Sequence, residues 1–277
     1  MTKINSSVKI FWERKARHYP LPFERKSAAR TARIVRLLES MGVDFDGRSL
    51  LDIGCGTGIF GLFLANKASR VLGVDSSRRM LAGFRAAACS RKIKNAACLL
   101  KKWTSICPPL RHWRATCPPA LCGGRKLPRA PFDIALASMS MAVQSPADIL
   151  RMERMAGERC VYIGWAGKRK NSFMERIFSA HGLVYEAPDG GGGILKILKE
   201  LNRKVRIKFI TDNWTWSGAY KEALAGAMAH LKVNNVPVRR QWLRKFIKAR
   251  VRNGQVAHKT LARKVLIVWR PTGRSRR

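Results

Sequence analysis

Acidic residues are scarce. The 277-residue chain has 17 Asp and Glu against 55 Lys and Arg, a formal net charge of +38. Self-repulsion on that scale disfavours a compact state unless salt or a polyanion screens it. It is also the electrostatic footprint of nucleic-acid binding. The excess, however, runs along the whole chain instead of collecting in one tail, which weakens that reading. An anionic substrate, an anionic membrane surface or a broad Arg bias would account for it equally. Long apolar runs are missing too, so no transmembrane helix is expected. The first seven residues lack the apolar stretch of a signal peptide, and a cytoplasmic location is the default. The Cys count is 7, odd and without a C-x-x-C pair, which argues against a disulfide framework. Cys107, Cys117 and Cys122 share one loop but read as free thiols, so no metal is expected. The five His residues, at 18, 112, 181, 230 and 258, form no recognisable constellation, and no catalytic base is assigned. No internal repeat is visible.

What is present is an ordinary apolar fraction, 46%, enough for a sizeable core. The length suits one large α/β domain, or one domain with a small cap. The organising stretch is Leu50-Leu51-Asp52-Ile53-Gly54-Cys55-Gly56-Thr57-Gly58. An apolar run ends at a glycine turn, and 59–65 follows with helical apolar spacing, so the order is strand, tight loop, helix. Glycines belong where the backbone takes positive φ or approaches a ligand closely. The next helix offers free N–H groups and a partial positive charge at its start. Such a loop faces a ligand at the carboxyl end of a parallel strand. It departs from the dinucleotide fingerprint G-x-G-x-x-G, because Ile59 stands where the last Gly would be.

With its preceding acid, Leu51-Asp52-Ile53-Gly54-Cys55-Gly56-Thr57-Gly58 resembles the first motif of the class I S-adenosylmethionine-dependent methyltransferases. The resemblance implies S-adenosylmethionine as cofactor, its methionine moiety and ribose lying along Asp52, Gly54, Cys55, Gly56, Thr57 and Gly58. Residues 70–77 read as a second strand ending in an acid, Asp75, about 20 residues after the loop, where a carboxylate meets ribose hydroxyls. Its two oxygens match a 2′,3′-diol, and Ser76 beside it joins the cofactor set. The same place also suits a helix cap at Ser77. Trp103, after the third strand, either lies against the adenine face or is core; the acid that the family often has there is absent. Tyr19, in an aromatic segment with Phe11, Trp12 and Phe23, either folds over the cofactor as in the family or staples the segment down. Ser138 ends the fourth strand near the cofactor. Met139 and Ser140 follow where the family presents the methyl group. The Asn/Asp-Pro-Pro-Tyr/Phe signature of DNA-amine and glutamine methyltransferases is not there, which puts such acceptors in doubt. Asp212, Trp214 and Trp216 form either a substrate wall after the sixth strand or a capped turn.

The expected fold is α/β: a Rossmann-like, seven-stranded, mostly parallel sheet with helices on both faces and a helical insertion between the last two strands. Its parts are an N-terminal helical segment over the cofactor site (1–48), the S-adenosylmethionine-binding core (49–216), a helical cap (217–258), and the last strand with a basic tail (259–277). Ser27 is expected to cap a helix over 27–42 that Gly42 closes. Residues 105–131 read as a disordered insertion and 189–193 as a mobile glycine turn. Two functions fit. The first is methyl transfer to a small-molecule acceptor chosen by the cap. The second is methylation of RNA or other nucleic acid, with the basic helix over 238–251 and the tail on phosphates. A non-enzymatic RNA-binding protein on the same scaffold is a third reading. Oligomeric state is not legible.

Overall fold

The computed structural model describes residues 12–106, 132–186 and 189–272. The cysteine trio, His112 and most of the 105–131 insertion lie outside them.

Residues 12–15 are helical and run into a 3-10 turn at Ala16–His18. The next helix, α1 (Arg25–Ser40), buries Ile34, Val35 and Leu38 at helical spacing. Glu24 occupies the cap position without a side-chain bond, and Ser27 is instead buried inside the first turn. Gly42 closes the helix as expected: its φ is +82° and its N–H reaches the Glu39 carbonyl. Next come β1 (Ser49–Ile53), buried throughout, and α2 (Gly61–Leu64), a single turn where a longer helix was expected. Then follow β2 (Arg70–Asp75), α3 (Arg78–Ser90), β3 (Ala96–Leu100) and β4 (Phe132–Ser138). Ser77 caps α3 by accepting from the Met80 N–H. A capping box of Ser145 and Asp148, with Pro146 in the first turn, starts α4 (Pro146–Met155). The rest is β5 (Ala156–Lys170), α5 (Ser172–Ser179), α6 (Gly190–Glu200), β6 (Val205–Ala219), α7 (Tyr220–Val233), α8 (Arg240–Lys248) and β7 (Gln255–Trp269).

The seven strands form one sheet in the order β3-β2-β1-β4-β5-β7-β6. The pairs β2–β3, β1–β2, β1–β4 and β4–β5 are all parallel. This is the mostly parallel, Rossmann-like arrangement expected.

Two further expectations about local structure are overturned. Residues 190–193 are the start of α6, not a mobile turn. The Asp189 carboxylate accepts the Gly192 N–H at 2.9 Å, capping the first turn. A Cβ on Gly191 would strike Val265, so no side chain fits there. Likewise Asp212 through Gly218 do not turn; they continue β6. Along it Ile210, Asp212, Trp214, Trp216 and Gly218 are the covered positions, while Thr211, Asn213, Thr215 and Ser217 are exposed. That period of two is what a strand with one covered face requires.

The described chain divides into two compact units: residues up to Gly164 with Gly193–Lys208 and the chain from Leu266 on, and Trp165–Gly192 with Phe209–Val265. Within the first, Glu153 on α4 is buried and takes two bonds from Arg203, at 2.8 and 2.9 Å, and one from the Trp269 indole at 2.9 Å. The core of the second joins Phe173, Met174, Ile177 and Phe178 of α5 to Ala223, Ala227 and Leu231 of α7 and to Leu243 and Ile247 of α8.

Candidate cofactor site

In an open α/β sheet the ligand crevice lies outside the carboxyl ends of the strands where their order reverses. Here the reversal falls between β1 and β4. The glycine loop leaves β1 at that point, and the turn after Ser138 leaves β4 beside it. Gly54 and Cys55 both donate to the Val74 carbonyl, at 2.7 and 3.1 Å, so the loop is tied to β2 as well. Gly54 has a φ of +69°, and a Cβ on it would collide with Ser140 Oγ. Only glycine lets the two turns touch. At Gly58, φ is +87° and a Cβ would come within 2.7 Å of Leu62 and Phe84, the residues that pack α2 and α3 behind the loop.

Two of the scarce acids shape this loop from within. Asp52, 2% exposed, accepts the Gly61 N–H at 3.0 Å and so holds the start of α2. Its carboxyl is pushed up to about 7, chiefly by burial, with the Asp75 charge adding and the Gly61 bond opposing. Asp75 accepts the Gly56 N–H at 2.9 Å with one oxygen and the Ser77 N–H at 2.8 Å with the other. The Ser76 N–H also bears on this carboxylate, which has about four lone-pair sites, so room remains for a ribose hydroxyl. Burial also raises the Asp75 carboxyl, against the bonds from Ser77 and Gly56.

The Asp52 shift has a sign that can be measured. Between its ordinary value of 3.8 and about 7, the folded chain keeps a proton that the unfolded chain has lost. Asp52 therefore favours folding fully below about 4, and that contribution is lost as pH rises to about 7. Asp52→Asn keeps an acceptor for Gly61 and removes the titration. Its stability relative to the unsubstituted chain should climb between about pH 4 and 7 and level off above. Denaturant unfolding across that range checks it, and a difference independent of pH would contradict the burial effect.

The aromatic N-terminal segment lies on the loop. Tyr19 Cε1 would be 3.8 Å from a Cβ on Gly56. Burial, then the charges of Asp75 and Asp52, push its phenol up to about 12. Thr57 Oγ1 donates to the Pro20 carbonyl at 2.8 Å, and Glu13 accepts the Arg78 N–H at 2.7 Å. Glu13 was not singled out from the sequence; the rarity of acids was the available signal.

The structure thus brings Asp52, Gly54, Gly56, Thr57, Gly58, Asp75 and Tyr19 together, with Ser140 against Gly54. Cys55 sends its side chain into the core with Leu62, Leu81 and Phe84, leaving only its backbone at the loop. Ser76 and Ser138 are half-buried at the ends of β2 and β4. Met139 has φ +51°, left-handed backbone that is costly for a side chain, held by its N–H on the Ile163 carbonyl at 2.7 Å. Trp103, 4% exposed, has its indole N–H buried with no hydrogen-bond partner among the described residues. A donor left over beyond the β3 end matches the acceptor nitrogens of an adenine ring. With Asp75 and the backbone of the glycine loop, these residues fit S-adenosylmethionine.

Asp212, Trp214 and Trp216 belong to the second unit, and their contacts there are internal. Asp212 is buried against Lys264, with 2.6 Å between Oδ2 and Nζ. The Trp214 ring packs on Trp165 at 5.9 Å, and Trp216 stacks on His258 at 5.2 Å. Among the described residues no group of three or more His, Cys, Asp or Glu is placed to hold a metal. Nor is any described helix long and apolar enough to cross a membrane.

Residues 50–113 match the family model of the methyltransferase domain. No curated protein sequence matches the chain. Among solved structures, the magnesium protoporphyrin IX methyltransferase of Synechocystis PCC 6803 superposes with a TM-score of 0.50 at 14% identity, covering 96% of this chain and 95% of that one. The YcgJ protein of Bacillus subtilis gives 0.49 at 13%, covering 86% and 97%. At 14% identity the likeness to the first of these speaks for the fold alone. The family match falls on the glycine loop, Asp75 and Trp103, so that segment is similar to the methyltransferase domain.

Proposed function

We propose that the chain transfers the methyl group of S-adenosylmethionine to a small-molecule acceptor at the reversal between β1 and β4. One observation carries the placement: the glycine loop, Asp75 and Ser140 meet there, with Gly54 and Ser140 in direct contact. The bound cofactor supplies an electrophilic methyl group on a sulfonium. The chain's own part is to bind and orient. Asp75 receives the ribose hydroxyls, and the backbone of Gly54, Cys55, Gly56, Thr57 and Gly58 lies along the methionine moiety. Tyr19 covers the loop, Trp103 donates to the adenine, and Ser76 and Ser138 flank it. Asp52 acts from behind by holding Gly61. Holding two reactants in line accounts for much of such a reaction's acceleration.

Ser138-Met139-Ser140-Met141, in place of an Asn/Asp-Pro-Pro signature, supports an acceptor other than a base amine, with Met139 and Ser140 facing it. The net charge of +38 favours the alternative acceptor, nucleic acid.

Transfer of labelled methyl from the cofactor into fractionated cell extract separates the two. Label in the metabolite fraction supports the reading; label confined to RNA overturns the acceptor class. Asp75→Ala should weaken cofactor binding by about 1–3 kcal/mol and reduce transfer correspondingly, since it strands the Gly56 and Ser77 N–H groups as well as the diol. Unchanged affinity would sink the ribose role.

A further inference from the structure

In the second unit, α5, the residues just after α8 and the start of β7 line an open cleft of about 560 Å³. Four cations line it, Arg176, Arg250, Arg252 and Lys259, together with Phe173 and His258. Among the described residues none of the four lies within ion-pair distance of a carboxylate. Two are anchored without being neutralised. Arg250 donates to the Phe246 carbonyl at 3.0 Å and lies over the Phe246 ring, while Arg252 donates to the Val251 carbonyl at 2.9 Å. Each keeps further N–H groups, since a guanidinium has five.

His258 adds a neutral donor. Asn171 Oδ1 accepts the Met174 N–H at 3.0 Å, which fixes the orientation of the amide. Its Nδ2 therefore donates, to Thr260 Oγ1 at 2.6 Å and to His258 Nδ1 at 2.8 Å. With Nδ1 accepting, the ring proton of a neutral His258 sits on Nε2. Burial and the nearby Arg169 charge hold this imidazole below its ordinary value. Phe173, stacked on His258 at 4.8 Å with the rings 4° from parallel, braces it.

We propose that this cleft is a binding site for a phosphate group carried by a small molecule. Its charged and imidazole lining offers only donors, which suits a ligand that only accepts. Guanidinium forks match phosphate oxygens two at a time. The volume falls within the roughly 300–1,000 Å³ of small-ligand sites. A polynucleotide would have its phosphates met at intervals along a track; these donors meet in one concavity. The site is independent of the cofactor assignment.

The test is calorimetric titration of the full chain with inorganic phosphate, ribose 5-phosphate and a short single-stranded RNA, at one ionic strength set by chloride. Saturable binding of phosphate or the ester is expected, and tighter binding of the ester would mark the organic phosphate as the ligand. Arg176→Gln with Lys259→Gln should weaken it about tenfold or more. Neither side chain has a hydrogen bond or ion pair among the described residues, so the fold and S-adenosylmethionine binding should be unchanged, as melting and a parallel cofactor titration would show. No phosphate binding, or binding indifferent to the substitutions, overturns the proposal. So does RNA binding that depends on these residues while the ester fails to bind.

Discussion

Gly56→Val is expected to weaken S-adenosylmethionine binding by about a hundredfold or more while the chain stays folded. The three loop glycines differ in what a side chain would meet. At Gly54 and Gly58 it runs into the protein itself, so substitution there confounds folding with binding. At Gly56 a Cβ meets only Tyr19 Cε1 at 3.8 Å and Met80 Sδ at 3.9 Å, ordinary contacts. Packing thus does not explain this glycine. The cost to the fold is that of holding a side chain at a φ of +56°, about 1–2 kcal/mol and somewhat more when it is β-branched. The cost to binding is larger, because the branched carbon stands where ligand must approach backbone. Denaturant unfolding and calorimetric titration separate the two. Gly56→Ala, with the same backbone strain and less bulk, should fall between. Affinity unchanged in both variants would mean that the ligand does not touch the loop.

Glu153→Ala should cost stability on a different scale, about 3–5 kcal/mol, the range for breaking a buried ion pair by removing one partner. Glu153 is 6% exposed and Trp269 2%, so neither the Arg203 guanidinium nor the indole N–H regains full hydration when the carboxylate goes. Three parts of the first unit lose their shared anchor: α4, the segment after α6 and the end of β7. Against a total of about 5–15 kcal/mol, that loss brings many domains close to unfolding. Glu153→Gln, which keeps one acceptor, should cost less. A loss under about 1 kcal/mol for Glu153→Ala would show that Arg203 finds water or another partner.

The sheet and the loop were legible because they rest on short-range signals. Apolar runs at 50–53, 71–74 and 132–137 become β1, β2 and β4, and the acid ending β2 sits on the loop as its spacing implied. What was misread depends on contacts distant in sequence. The glycines at 190–193 have no side chains to report their fit against Val265 and Trp165, so a helix looked like a mobile turn. Asp212 looked like a strand end because its partner, Lys264, is 52 residues away; the alternation of Trp214 and Trp216 with Thr215 and Ser217 was the local sign that β6 continues. Asp52 was read as part of the cofactor set, yet its bond to Gly61 places it behind the loop, a role that only the folded turn reveals. The cleft at Arg176 and His258 draws on α5, the chain after α8 and β7, and no local pattern joins them.

The central claim is that this loop and Asp75 hold S-adenosylmethionine. Its most direct measurement is calorimetric titration of the cofactor into the intact chain and into Asp75→Ala. The expected result is saturable binding at one site per chain, weakened by about 1–3 kcal/mol in the variant. Absence of binding by the folded, unsubstituted chain would contradict it.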